Sequence, residues 1–213
     1  MSKSIILVLA LAGWISSVQA QDAKAGEQKA AMCIGCHGIV GYQATFPQVH
    51  RVPMISGQNA AYIVAALNAY ASGERKHPTM RGISQSLSEK DMADLGAFYE
   101  QHGKAPRAVA DTPANPSAQV AALLTKGACA SCHGANFNKP IAPNYPKIAG
   151  QHPDYLNVTL QAYKNSSHGL TGRGNAIMAG QAKGFTADEL KSIAQYVGSL
   201  PGDLRTVPQS RFR

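Results

Sequence analysis

The pentapeptide Cys-x-x-Cys-His occurs twice in this chain of 213 residues. The first copy runs from Cys33 to His37 and the second from Cys129 to His133, and together they use all four cysteines. Residues at i and i+3 share one face of a helical turn, and the residue at i+4 lies beside them. Each copy therefore holds two thiols and one imidazole together, and the group that binds them must organise the chain around it.

Two other kinds of site also use paired cysteines. A thioredoxin-like site would need one Cys-x-x-Cys on a β-α-β unit, and the sequence shows no such unit. A structural zinc site would need its second pair some 15–20 residues away, whereas these pairs lie 96 residues apart. Cys-x-x-Cys-His is instead the attachment signature of c-type haem.

We therefore predict two covalently bound haem c groups. Cys33 and Cys36 would form the thioether bonds to one haem, and Cys129 and Cys132 would form those to the other. The histidine that ends each motif would supply the first axial ligand of each iron.

The two halves of the chain resemble each other beyond these motifs. An offset of 93 residues pairs Pro53-Met-Ile-Ser-Gly-Gln58 with Pro146-Lys-Ile-Ala-Gly-Gln151, and an offset of 98 pairs Met80 with Met178. A chain that repeats in this way is built from two copies of one structural unit. Residues 105–117 hold three prolines among small and charged residues, which predicts an extended linker between the copies.

Each half is predicted to be mainly helical. One helix leads into the Cys-x-x-Cys-His motif, a second follows the Gly-Gln pair, and a third begins at a capping sequence. The capping sequences are Ser88-Glu-Lys-Asp91 and Thr186-Ala-Asp-Glu189. The predicted organisation is a cleaved signal peptide at 1–20, a first domain at 21–104, the linker at 105–117, a second domain at 118–205 and a tail at 206–213.

The signal-peptide prediction rests on the first twenty residues. Lys3 precedes an apolar run of about 11 residues, and Val18-Gln19-Ala20 follows as a small-residue cleavage site. The run is shorter than the roughly 20 residues that a membrane-spanning helix needs, so a retained anchor is the weaker alternative. We expect a periplasmic protein, with peripheral association at the inner membrane left open.

The second axial ligand of each iron is sought among the methionines and histidines. Met80 and Met178 match each other in the repeat, and both are expected in loops before the third helix, 43 and 45 residues after their histidines. We predict that Met80 binds the first iron with His37, and that Met178 binds the second iron with His133. His77 lies three residues before Met80 and is the rival ligand. Met92 matches Leu190 on an apolar stripe and is expected in the core.

Taken together, these motifs resemble the dihaem cytochrome c4 family over about residues 24–200. The resemblance implies an all-α fold of two tandem class I cytochrome c domains, related by a pseudo-twofold and each wrapped around one covalent haem. It also implies that the carbonyls of Pro53 and Pro146 accept hydrogen bonds from Nδ1–H of His37 and His133, and that the two haems meet near their propionates.

With both axial positions filled by protein, an iron has no open site for substrate, so we expect an electron carrier, not an enzyme, with no small-molecule substrate. The resemblance implies redox protein partners, namely a terminal oxidase and a respiratory donor such as a cytochrome bc1-type complex. Two alternatives stay open. One is the electron-accepting cytochrome subunit of a sulfide- or thiosulfate-type dehydrogenase, and the other is a dihaem peroxidase.

Charge is compatible with such partners. Without Lys3 in the signal peptide, the mature chain has 19 Lys+Arg and 12 Asp+Glu, a formal net charge of +7. This charge would attract an acidic protein or an anionic membrane surface, although ordinary solubility explains it equally well. The basic residues are dispersed and the chain is predicted to be exported, so we expect no nucleic-acid partner.

Overall fold

The computed structural model describes residues 21–104, 109–165 and 169–208. The predicted signal peptide at 1–20 lies outside the described residues, as do 105–108 of the predicted linker and 209–213 of the predicted tail. The helices of the first half are α1 (Ala23–Lys29), α2 (Ala31–His37), α3 (Ala60–Ser72), α4 (Pro78–Gln85) and α5 (Glu89–Gln101). Those of the second half are α6 (Ala118–Lys126), α7 (Cys129–His133), α8 (Pro153–Lys164), α9 (Ala176–Lys183) and α10 (Ala187–Ser199).

The only strands among the described residues form a short antiparallel pair in the first half. They are β1 (Gln43–Ala44) and β2 (His50–Arg51), with Gln43 paired to Arg51 and Ala44 to His50. No described helix is long and apolar enough to cross a membrane.

The core of the first half forms where α3 and α5 pack beside α1 and α2. Leu95 on α5 is 1% exposed, and the core includes Ile63 and Leu67 of α3. The crossing of α1 and α5 depends on Gly26, because a Cβ there would lie 2.1 Å from the Asp94 carbonyl oxygen. Any larger residue would force these helices apart.

The second half builds a separate core in the same way. Its last helix, α10, begins at Thr186 with a complete capping box, as α5 does at Ser88, so both predicted capping boxes are confirmed. Met92 and Leu190 occupy matching positions on these helices and are both buried, which confirms that Met92 is a core side chain.

The halves pack together through two glutamines that the repeat relates. Gln58 Nε2 donates to the Lys147 carbonyl, and Gln58 Oε1 accepts from the Lys147 N–H, both at 2.9 Å. Gln151 Nε2 donates to the Met54 carbonyl at 2.8 Å, and Gln151 Oε1 accepts from the Met54 N–H at 3.0 Å. The offset of 93 that relates the glutamines also relates Met54 to Lys147. This reciprocal exchange is the pattern that a twofold axis produces.

A second contact with the same symmetry lies farther along each repeat. Arg75 and Arg173 pair as an antiparallel bridge, and the Gly174 N–H donates to the Glu74 carbonyl at 2.8 Å. The offset of 98 relates Arg75 to Arg173, so each half contributes the same residue to this contact.

Two further contacts between the halves are not repeated. Arg51 Nε forms an ion pair with Asp154 at 3.0 Å, and the Arg51 N–H also donates to that carboxylate. The chain after α10 returns to the first half, where the Arg205 N–H donates to the Ser56 carbonyl at 3.0 Å. Leu204 is 2% exposed at this point. These contacts fix the two halves in one arrangement.

We predict that Gln58→Ala and Gln151→Ala each weaken the contact between the halves. Both glutamines are only 4% exposed, and each loss leaves a partly buried backbone N–H and carbonyl without their partner. The expected loss is about 1–3 kcal/mol for each variant. In the double variant, thermal unfolding followed by circular dichroism should broaden or split into two transitions.

Gln161→Ala is the matched control, because the Gln161 side chain bonds within α8, to Asn157 at 3.4 Å. If Gln58→Ala unfolds at the same temperature as Gln161→Ala, the glutamine exchange does not hold the halves together.

Candidate haem sites

The two Cys-x-x-Cys-His motifs lie on short helices in matching places. α2 ends with the first motif, and α7 consists of the second. All four cysteines are free of disulfide bonds. Cys33 and Cys129 pack against the apolar core of their own half, and burial raises the pKa of both thiols. An apolar macrocycle suits this setting better than a zinc ion, which binds thiolates.

The histidine of each motif is held by a backbone carbonyl. His37 Nδ1 lies 2.8 Å from the Pro53 carbonyl oxygen, and His133 Nδ1 lies 3.0 Å from that of Pro146. Since a carbonyl can only accept, Nδ1 carries the hydrogen and Nε2 keeps its lone pair for a metal. Burial lowers the pKa of both imidazoles, which keeps them in the neutral form that binds iron. The structure places both proline carbonyls where the resemblance implies.

The predicted methionine ligands lie on helices, so the expectation that they lie in loops is wrong. Met80 is the third residue of α4, and Met178 is the third residue of α9. The physical reason is a cap at each N-terminus. Asn175 Oδ1 accepts from the Met178 N–H at 3.0 Å, and His77 Nδ1 accepts from the Met80 N–H at 3.3 Å. Pro78 then takes the first position of α4, which proline favours.

His77 is therefore engaged in local structure. Its ring packs edge-on against Phe46 and Tyr70, with centroids 5.9 and 6.4 Å apart. In addition to burial, the charge of His77 lowers the pKa of His37. Met80 itself packs against the core of the first half. Cys33 packs against the same core, so these two predicted site residues share one apolar cluster.

Four tyrosines and two arginines form a cluster where the halves meet. The Arg75 guanidinium lies 5.2 Å from the Tyr62 ring centroid and donates to its hydroxyl at 3.2 Å. Arg173 lies 5.7 Å from the Tyr155 ring centroid and donates to its hydroxyl at 3.0 Å. Tyr70 and Tyr163 stack with Arg75 and Arg173 in the same way.

This cluster fits a haem pair whose propionates face each other. Neither guanidinium forms an ion pair within the described residues, and Nη1 of Arg173 is buried without a hydrogen-bond partner. A buried charge of this kind requires an anion close by. Propionate carboxylates at the contact between the halves would supply it. Arg75, Arg173 and the motif residues are thus consistent with two haems.

Sequence reasoning did not identify the arginine pair. The signal was present, because the offset of 98 that pairs Met80 with Met178 also pairs Arg75 with Arg173. The glutamines of the two Gly-Gln segments were matched, but the repeat alone did not show that their partners lie in the opposite half. Such contacts depend on how the copies pack.

Comparisons with known proteins agree with this geometry. The family model described as Cytochrome c matches residues 117–201. Cytochrome c-554(548) of Halomonas halodenitrificans is 40% identical over 83 residues, covering 38% of this chain and 95% of the relative. Cytochrome c4 of Pseudomonas aeruginosa is 28% identical over 204 residues, covering 92% of this chain and 96% of the relative.

The fold is that of a solved structure as well. Reduced recombinant cytochrome c4 from Pseudomonas stutzeri superposes with a TM-score of 0.62 at 23% identity, covering 85% of this chain and all (100%) of that one. Together with the paired motifs, these matches identify both the cofactor and the two-domain class I arrangement. The chain belongs to the cytochrome c family, as a dihaem member of the cytochrome c4 type that carries two covalently bound haem c groups.

Proposed function

We propose that this electron-transfer protein works in the periplasm, between a respiratory donor and a terminal oxidase. The haem irons supply one-electron oxidation and reduction, and the chain supplies their ligands and surroundings. The observation that carries the proposal is the repeated arrangement of a carbonyl-held histidine and a capped methionine helix in each half.

The proposed axial ligands are His37 and Met80 for the first iron, and His133 and Met178 for the second. Each histidine directs its Nδ1–H to a proline carbonyl, so Nε2 is the ligand atom. Both methionines occupy the same position of equivalent helices, whereas His77 is replaced by Asn175 in the second half. A His77 ligand would require the two haems to be bound differently, and the capping role explains His77 without it.

The surroundings suit an electron carrier. Methionine in place of a second histidine raises the potential of a c-type haem, and burial of cationic groups nearby favours the reduced state. In this chain the arginine pair contributes two positive charges at the contact between the halves. With both axial positions filled, oxidation and reduction require no substrate to bind the iron.

Met80→Ala and Met178→Ala should each remove one of the two methionine-ligated haems. The far-red absorption band of methionine-ligated ferric haem should therefore fall by about half in either variant, because each site contributes one ligand. His77→Asn is the matched control, since the second half already uses asparagine at that position. His77→Asn should leave the band unchanged. If Met80→Ala also leaves the band intact while Met178→Ala abolishes it, Met80 is not a ligand of the first iron and His77 is the rival.

The proposed partner can be tested through charge. With a formal net charge of +7, the mature chain should be steered towards an acidic docking site. Oxidation of the reduced protein by isolated membranes that contain the terminal oxidase should slow as ionic strength rises from about 0.01 to 0.15 M, over which the Debye length falls from about 30 to 8 Å. Membranes that do not oxidise the protein at any ionic strength would contradict the oxidase as acceptor.

A second candidate function is the electron-accepting subunit of a sulfide- or thiosulfate-type dehydrogenase. A relative named thiosulfate dehydrogenase electron acceptor, from Stutzerimonas stutzeri, is 28% identical and covers 93% of this chain. Affinity purification from the periplasmic and membrane fractions separates the candidates. Stoichiometric recovery of a flavin or haem dehydrogenase supports the subunit, and recovery of the oxidase supports the shuttle.

A further inference from the structure

Tyr99 carries a buried hydroxyl that makes no hydrogen bond within the described residues. The side chain lies on α5 and is 3% exposed, and its hydroxyl has no hydrogen-bond partner. Buried donors in native proteins are nearly always paired, because an unpaired one loses its bond to water and gains nothing. An unpaired donor of this kind indicates that its acceptor is positioned only when a cofactor is bound.

The Cys33 sulfur lies next to this hydroxyl. Cys33 packs against the core cluster to which Tyr99 belongs. Burial raises the pKa of the Tyr99 phenol, and the Cys33 sulfur raises it further. Once Cys33 is attached to a haem, its sulfur is a thioether, which can accept a hydrogen bond but can no longer donate one.

The second half lacks this hydroxyl. The offset of 98 that relates α5 to α10 places Val197, which is 2% exposed, at the position of Tyr99. The neighbouring Tyr196 does carry a hydroxyl, but it already has an acceptor, the Ala114 carbonyl at 2.7 Å. The phenol beside the cysteine is therefore a property of the first haem site alone.

We propose that the Tyr99 hydroxyl donates a hydrogen bond to the thioether sulfur of Cys33 and thereby raises the reduction potential of the first haem relative to the second. The positive end of the O–H dipole then faces the edge of the macrocycle, where it stabilises the electron that reduction adds. The buried, low-dielectric setting strengthens this effect. Tyr99 acts as a tuning residue, and its role rests on the attachment of the first haem at Cys33.

Tyr99→Phe removes the hydroxyl and keeps the ring. Spectroelectrochemical titration of the holoprotein should show that the equilibrium constant for reduction of the first haem falls about threefold to tenfold. This corresponds to a midpoint potential lower by roughly 30–60 mV. Repeating the titration in a Met178→His background assigns the shift, because that change moves the second haem alone. In the reduced wild type, proton NMR should show a slowly exchanging hydroxyl proton close to the Cys33 β-protons, and Tyr99→Phe should lack it.

Tyr196→Phe is the control, and neither midpoint should move in it. An unchanged first midpoint in Tyr99→Phe overturns the inference even if the variant melts at a lower temperature, because a packing role alone would lower only the stability. A shift confined to the second haem overturns it too. If the wild type itself does not titrate as two low-spin haems, the proposed electron-carrier function is contradicted. That outcome differs from an unchanged first midpoint in Tyr99→Phe, which contradicts only the role of Tyr99.

Discussion

The covalent bond between each pentapeptide and its haem is the constraint on which the rest of each half depends. Two sulfurs and one imidazole leave the helical turn from one side, so a macrocycle joined to them is fixed in position and in tilt. The Pro53 and Pro146 carbonyls then fix the rotation of the two imidazoles. What remains for each half is to close an apolar shell and, in the proposed assignment, to supply a methionine as the second ligand that would hold the iron.

Where the two copies of this unit meet, cationic side chains lie close together. Two guanidiniums lie there among tyrosines with no protein carboxylate paired to them in the described part of the chain. Buried cations without anions would drive the halves apart, whereas propionates from two haems would hold them together. In the proposed arrangement, propionates would therefore support the contact between the halves alongside the glutamine exchange.

Much of this arrangement could be predicted from the sequence, because its signals are local. The Cys-x-x-Cys-His spacing predicts the haem motifs, and the apolar stripe with its capping box predicts α5 and α10. The helices that carry Met80 and Met178 were missed, since their caps use a histidine and an asparagine in sequences that otherwise indicate loops. The partners of Gln58 and Gln151 could not be predicted, because those contacts depend on how two separate units pack.

The positions at which the two halves carry different residues are also informative. His77 is replaced by Asn175 and Tyr99 by Val197, and the Arg51–Asp154 ion pair has no equivalent. Each difference makes the two halves chemically unlike, although both keep the same proposed ligands. A carrier with two haems in unlike surroundings can hold them at unlike potentials, which gives electrons a preferred order of residence.

The most direct test of the account is the intact mass of the exported, folded protein, combined with a thiol assay on the denatured chain. Attachment of both haems through Cys33, Cys36, Cys129 and Cys132 predicts a mass equal to the mature chain plus two haems. It also predicts that no cysteine reacts with a thiol reagent, because all four sulfurs are thioethers. A mass with a single haem, or any cysteine that titrates as a free thiol, would contradict the account.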